Sequence, residues 1–141
     1  MDDNPLVLNL RVFRTLLVVG PVTSLIWTAI SYSAPHWFYS SGERQLLAWN
    51  GYGALLPHTP VYEWVYLILY LVSSFGLSRF SRRARWVYTA LMAFGALIAG
   101  FSGAVITTGF ENFLATITGY SSAAVLALAW LPPQRDLFVR R

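Results

Sequence analysis

Residues 61–108 read VYEWVYLILYLVSSFGLSRFSRRARWVYTALMAFGALIAGFSGAVITT, and the alternation within that stretch decides the fold. An apolar run from about Val61 to Leu77 gives way to Arg79, Arg82, Arg83 and Arg85 in the short segment 78–86. A second apolar run then continues from about Val87 to Thr108. Each run is close to the ~20 residues an α-helix needs to cross bilayer hydrocarbon, and neither is charged at its middle. The pattern predicts two membrane-spanning helices joined by a tight basic turn.

Outward from that pair the same device appears twice more. One run extends from about Thr15 to Ser33 behind Arg11 and Arg14, with Gly20 and Pro21 placed to loosen its first turns. Another extends from about Phe113 to Leu131, where Pro132 and Pro133 stop it. The expected fold is an all-α integral membrane protein, a four-transmembrane-helix bundle forming a single membrane domain over residues 1–141. Its spans are expected at about 15–33, 61–77, 87–108 and 113–131. A signal peptide cleaved before Ala34 is the competing reading of the first span. That apolar run is long for an h-region and is interrupted by Trp27, so an uncleaved helix is expected. Composition agrees: 56% of residues are hydrophobic and 11% charged, about half the charged share of soluble domains.

Orientation follows from the arginines. All ten basic residues are arginine, and positive charge in short loops marks the cytoplasmic side. The loop 78–86 is therefore expected inside, and an even number of spans places both termini inside with Arg11, Arg14, Arg135, Arg140 and Arg141. Arg44 alone faces out. Trp37, Trp49 and Trp64 then mark the outer interface and Trp86 and Trp130 the inner one. The expected location is a bacterial plasma (inner) membrane, and Arg79, Arg82, Arg83 and Arg85 are candidate contacts for lipid headgroups rather than nucleic acid.

The outer loop, 34–60, holds the only sizeable stretch outside a span. Ser40 and Glu43 have capping-box spacing and Gly51 is placed to stop a helix, so a short interfacial helix is expected near residues 40–50. Leu46, Leu47 and Trp49 supply its apolar side, and Glu43, Arg44 and Trp49 are the residues expected to cap the bundle.

Three groups of residues invite a chemical reading. Gly95, Ala99, Gly103 and Thr107 recur at a spacing of four with Gly100 beside them, and Ala115, Gly119, Ala123 and Ala127 repeat the device in the last span. Such stripes let helix backbones approach closely in lipid. They are expected to serve either as an internal seam between the last two spans or as an oligomer seam. Tyr62, Tyr66 and Tyr70 with Ser74 and Ser78 share one face of the second span. Tyr66, Tyr70 and Ser74 with Glu63 are thus a candidate polar pocket, or hydroxyls satisfied on neighbouring helices. Glu63 and Glu111 are expected at the outer helix ends, where either would pair with Arg44; His36 and His58 lack close metal-ligand spacing.

Absences narrow the function further. With no cysteine, disulfides, thiolate metal sites and cysteine nucleophiles drop out. The spans carry no Asp, Glu, His, Lys or Arg between their ends, which argues against proton coupling and paired-histidine haem ligation. No Ser, His and Asp set is present for hydrolysis. No catalytic, metal or cofactor residue is assigned, and no cofactor is expected. The expected function is a non-enzymatic multi-pass protein that binds another membrane component, as an accessory subunit of a membrane complex or as an immunity protein against a membrane-targeting toxin. The expected partners are membrane lipids and a membrane protein or further copies of this chain. The alternative is a small oligomeric transporter or channel-like protein for a lipid-linked or neutral solute.

Overall fold

The computed structural model describes residues 5–33, 40–46, 51–55, 60–103, 105, 107–132 and 134–138. All regular structure among them is helical: α1 (Pro5–Ser33), α2 (Ser41–Leu46), α3 (Pro60–Ser78), α4 (Arg82–Phe101), α5 (Gly109–Trp130) and α6 (Gln134–Leu137). Four of these, α1, α3, α4 and α5, are long and apolar enough to cross a membrane. Their outward faces carry Val18, Val72, Leu97 and Tyr120, each well over half exposed, a surface compatible with a multi-pass membrane bundle.

The helix ends are cut by local chemistry. α3 closes in a Schellman motif, with Ser81 N–H donating to Gly76 O (3.0 Å) and Phe80 N–H to Leu77 O (2.9 Å). The residue forced into the left-handed conformation there is Phe80, at φ 56, a place usually taken by glycine. Ser81 then caps α4 by accepting from Ala84 N–H at 3.4 Å. A Cβ at Gly76 would lie 2.5 Å from that of Ala84, so the α3–α4 hairpin closes this tightly only with glycine at 76.

α4 ends five turns on, at Phe101, because Ser102 forms its C-cap and Gly103 takes φ +71. The helix thus runs over Arg82–Phe101, where the expected span is 87–108. Hydropathy misses the polar first turn at the start, and Gly103 cuts the helix at the end. α5 begins earlier than expected, at Gly109, because Thr108 and Glu111 form a full capping box.

The long helices alternate in direction, and their pairing does not follow sequence order. α1 packs most extensively along α5, then α3 along α4 and α1 along α3, while α4 and α5, joined by the short segment 102–108, touch far less than any of these. The expected internal seam between the last two spans is therefore not the main packing of either helix. Phe13 of α1, Phe80 of the α3–α4 turn and Phe138 after α6 meet ring to ring, with centroids 5.3–6.4 Å apart. These contacts gather Arg11, Arg14, Arg79, Arg82, Arg83, Arg85 and Arg135 at one end of the bundle, called the arginine end below. The core runs from there through Leu17, Leu77, Tyr88, Leu91, Val125 and Ala129 to Tyr70.

Candidate functional site

At the middle of the bundle a set of hydroxyls holds three helices together. Tyr70 of α3 is buried and hydrogen-bonds to Ser122 of α5 at 2.9 Å, its ring tilted against that of Tyr88 of α4 at 5.8 Å. Its hydroxyl abuts Gly20 of α1, where a Cβ would collide with it. One turn from Ser122 toward the other end, Thr23 and Thr118 share a bond of 2.7 Å between α1 and α5. In hydrocarbon such interhelical bonds do the work that hydrophobic burial does in water. Tyr66 is half-buried with its hydroxyl laid over Gly95, where a Cβ would sit 2.6 Å from it. Of the candidate pocket residues, Tyr66 and Tyr70 are thus taken up in packing, and Glu63 is exposed and accepts from the Tyr32 hydroxyl.

Ser74 is different. It is 5% exposed, its Oγ has no hydrogen-bond partner, and it lines a groove of about 510 Å3 between α1 and α3. Leu17, Val18 and Val22 form one wall, Leu71 and Phe75 the other, and Arg14 and Ser78 stand at its arginine end. Pro21 of α1 also lines it. Arg79 lies over the Phe75 ring at 4.5 Å from its centroid. Next to this, Arg79, Phe80, Ser81, Arg82 and Arg83 surround a second recess of about 420 Å3.

Of the four arginines expected at lipid headgroups, Arg79, Arg82 and Arg83 are exposed, but Arg85 is buried at 6% exposure. Its guanidinium carbon lies 4.3 Å from the Trp130 ring centroid and 5.2 Å from that of Phe138. One Nη donates to Ala129 O over 3.5 Å, and Nε has no partner. Trp130 is itself fixed by donating Nε1–H to Thr89 Oγ1 at 3.0 Å. Arg85 shares the buried face of α4 with Tyr88 and Leu91, a spacing of three that was legible in the sequence.

Glu111 lies in the first turn of α5, at the helix end where it is expected. It is buried there, at 2% exposure. Its carboxylate accepts from Thr108 N–H (2.9 Å), Thr108 Oγ1–H (3.2 Å) and Ser31 Oγ–H of α1 (3.1 Å). The pairing of Glu63 or Glu111 with Arg44 falls outside the described side chains, as do those of Glu43 and Trp49 in the expected outer cap. His36 and His58 lie outside the described residues. Among those described, no cluster of three metal-ligating side chains occurs.

The small-residue stripes divide. Gly95 receives Tyr66, and Ala115 is half-buried. Gly103 is not part of the helix and instead admits the loop backbone, since a Cβ there would lie 2.5 Å from Ala54 N. Ala99, Gly100, Gly119 and Ala123 are exposed, and a Cβ at Gly100 or Gly119 would meet nothing within 4 Å. No family model, characterised protein or solved structure matches the chain.

Proposed function

We propose that this chain is a multi-pass protein of a bacterial plasma membrane, with both termini and the Arg79–Arg85 turn cytoplasmic and α2 lying at the outer interface. It acts without catalysing a reaction, by binding another membrane component, either as an accessory subunit of a membrane complex or as an immunity protein against a membrane-targeting toxin. The orientation draws support from arginines of three separate segments converging at one end of the bundle, the asymmetry that topology requires. The binding reading rests on one observation: Ala99, Gly100, Gly119 and Ala123 face outward and are not used by the chain's own packing. Glycine inside a helix costs about 0.5–1 kcal/mol relative to alanine, and in lipid its compensation is the close approach of another helix backbone. The transport alternative draws less support, because Tyr70 is bonded to Ser122 and Tyr66 is laid on Gly95.

The absence of cysteine makes a clean test available. A single cysteine placed at Gly100 or Ala123 should give one discrete oxidative or maleimide crosslink in intact membranes, either to a second copy or to one other protein. The same substitution at Val72, on the outward face of α3, should not. Equal products from all three positions, or none from any, would remove the binding reading.

A further inference from the structure

The groove between α1 and α3 has a graded lining whose register follows from the fold. Gly20 of α1 faces Tyr70 of α3, and the two helices run in opposite directions. At ~1.5 Å of rise per residue, Ser74 stands about 6 Å and Arg14 about 9 Å from that level, both toward the arginine end. Deeper in, the walls are hydrocarbon, with Val18 and Val22 opposite Leu71. From the arginine end inward the groove therefore offers a guanidinium, then a hydroxyl, then an apolar channel. A phospholipid presents its phosphate, ester carbonyls and acyl chain in that order.

Two independent observations make this more than a crease between helices. Ser74 lines the groove, and its buried Oγ has no partner; Tyr70 O, the carbonyl it would reach four residues back, accepts from Ser73 at 3.1 Å instead. A buried donor without an acceptor calls for one from outside the chain. The second observation is charge. At the arginine end Arg11, Arg14, Arg79, Arg82, Arg83, Arg85 and Arg135 outnumber Asp136 of α6, while Glu63 and Glu111 lie at the other end, so Arg14 stands among predominantly positive charge. Its stem can lie along the groove wall while the head reaches the interface.

We infer that this groove holds an anionic phospholipid, with its phosphate on Arg14, an ester carbonyl accepting from the Ser74 hydroxyl, and one acyl chain between Val22 and Leu71. The inference rests on the membrane reading above. It differs from a general attraction of lipid to arginines, because it assigns Arg14 and Ser74 a role that the exposed Arg82 and Arg83 do not share.

The full chain, purified in mild detergent, would be mixed with phosphatidylglycerol or phosphatidylcholine and the retained lipid counted by native mass spectrometry. One phosphatidylglycerol should be kept at least tenfold more than phosphatidylcholine. Arg14→Gln and Val18→Trp, the latter filling the groove from a position 61% exposed, should each lower retention about fivefold or more, and Ser74→Ala about threefold. Arg83→Gln should leave it unchanged. Glycerol 3-phosphate, which carries the phosphate without chains, should not compete.

Equal retention of the two lipids would overturn the inference, as would equal losses from Arg14→Gln and Arg83→Gln, or displacement by glycerol 3-phosphate. An unchanged Val18→Trp, with an unaltered circular-dichroism melt, would overturn the acyl-chain placement. Alkaline-carbonate extraction separates the two readings: a chain that washes from the membrane defeats the membrane reading itself, whereas one that stays but shows no lipid preference defeats only the groove.

Discussion

The two ends of α5 each hold a buried charge, and they do so by opposite means. At the N-terminus Glu111 is enclosed by donors: its own cap residue supplies an N–H and a hydroxyl, and Ser31 of α1 supplies another. At the C-terminus Arg85 is enclosed by rings, with one long bond to Ala129 O and Nε left without a partner. Both charges have the sign that complements the helix macrodipole, an anion at the N-terminus and a cation at the C-terminus. The difference lies in what a helix end provides. The first turn offers several unused N–H groups converging on one point, so a carboxylate there can be saturated locally. The last turn offers carbonyls that diverge, too few to satisfy the five donors of a guanidinium. Flat aromatic faces make up the remainder through the ring quadrupole.

The largest effect expected from this contrast comes from reversing the charge at the aromatic end. Arg85→Glu would place a carboxylate against α5 carbonyls and the negative faces of Trp130 and Phe138. It should lose about 3 kcal/mol, the low end of the range for a buried charge left uncompensated, because Arg82 and Arg135 lie near enough to offset part of the cost. Arg85→Met keeps an unbranched stem in the same slot and should lose no more than about 1 kcal/mol, because a buried ion replaced by a well-packed apolar chain is often near neutral. Unfolding by sodium dodecyl sulfate from detergent micelles gives both values. If the methionine variant unfolds as readily as the glutamate one, the charge itself is what this end requires and the ring contacts are incidental.

At the other end the effects are smaller and carry a different signature. Glu111→Ala removes half of a capping box and the bond to α1, and should cost about 1–2 kcal/mol. Glu111→Gln should cost under about 1 kcal/mol, because glutamine fills the same box position. A double-mutant cycle between Ser31→Ala and Glu111→Ala should return a coupling of about 1 kcal/mol. A coupling of zero would mean that the Ser31–Glu111 bond adds nothing to the hold of α1 on α5.

How much of this was legible follows the same division. The four long helices were, because bilayer length and apolar runs are properties of contiguous sequence. The Glu111 site was half-legible: the spacing Thr108 to Glu111 is a capping-box signal, but attention to Glu111 as an outer-face charge hid it. Its burial depends on Ser31, eighty residues away. Arg85 was read with its neighbours as one basic cluster, and only its phase with Tyr88 and Leu91 separates it from Arg82 and Arg83. The pairing of α1 with α5 was not legible. A short connection between α4 and α5 suggests contact along their length, whereas Ser102 and Gly103 end α4 early and let the two helices part. The lipid-exposed and buried faces of a membrane helix are both apolar, so periodicity marks them weakly.

Phe80 offers a sharper test of how the aromatic end is built. Its backbone is left-handed at φ 56, which disfavours any residue with a Cβ by about 1–2 kcal/mol, and its ring packs on Phe13 and Phe138. Phe80→Ala should lose the ring contacts and keep the strain. Phe80→Gly should lose the contacts and release the strain, and so be the more stable of the two by about 1 kcal/mol. Thermal unfolding followed by near-ultraviolet circular dichroism would rank them. Alanine ranking above glycine would mean that the turn relaxes out of the left-handed region once the ring is gone.

The smallest effect on folding is expected where the two ends of α5 are irrelevant, on the outward face between them. Gly119 on α5 and Gly100 on α4 have open space where a Cβ would go, so neither substitution meets a steric penalty within the monomer. Gly119→Ala and Gly100→Ala should therefore raise stability in detergent by roughly 0.5–1 kcal/mol each, the helix preference for alanine over glycine. Gly100→Leu and Gly119→Leu should fold as readily in detergent yet fail to give the crosslink expected from Ala123→Cys, because a bulky side chain holds the facing backbone away. Stability gained in isolation together with association lost in the membrane is the pattern of residues whose small size serves a second chain. Loss of stability from the alanine variants would place these glycines in the chain's own packing, where the monomer's geometry does not put them.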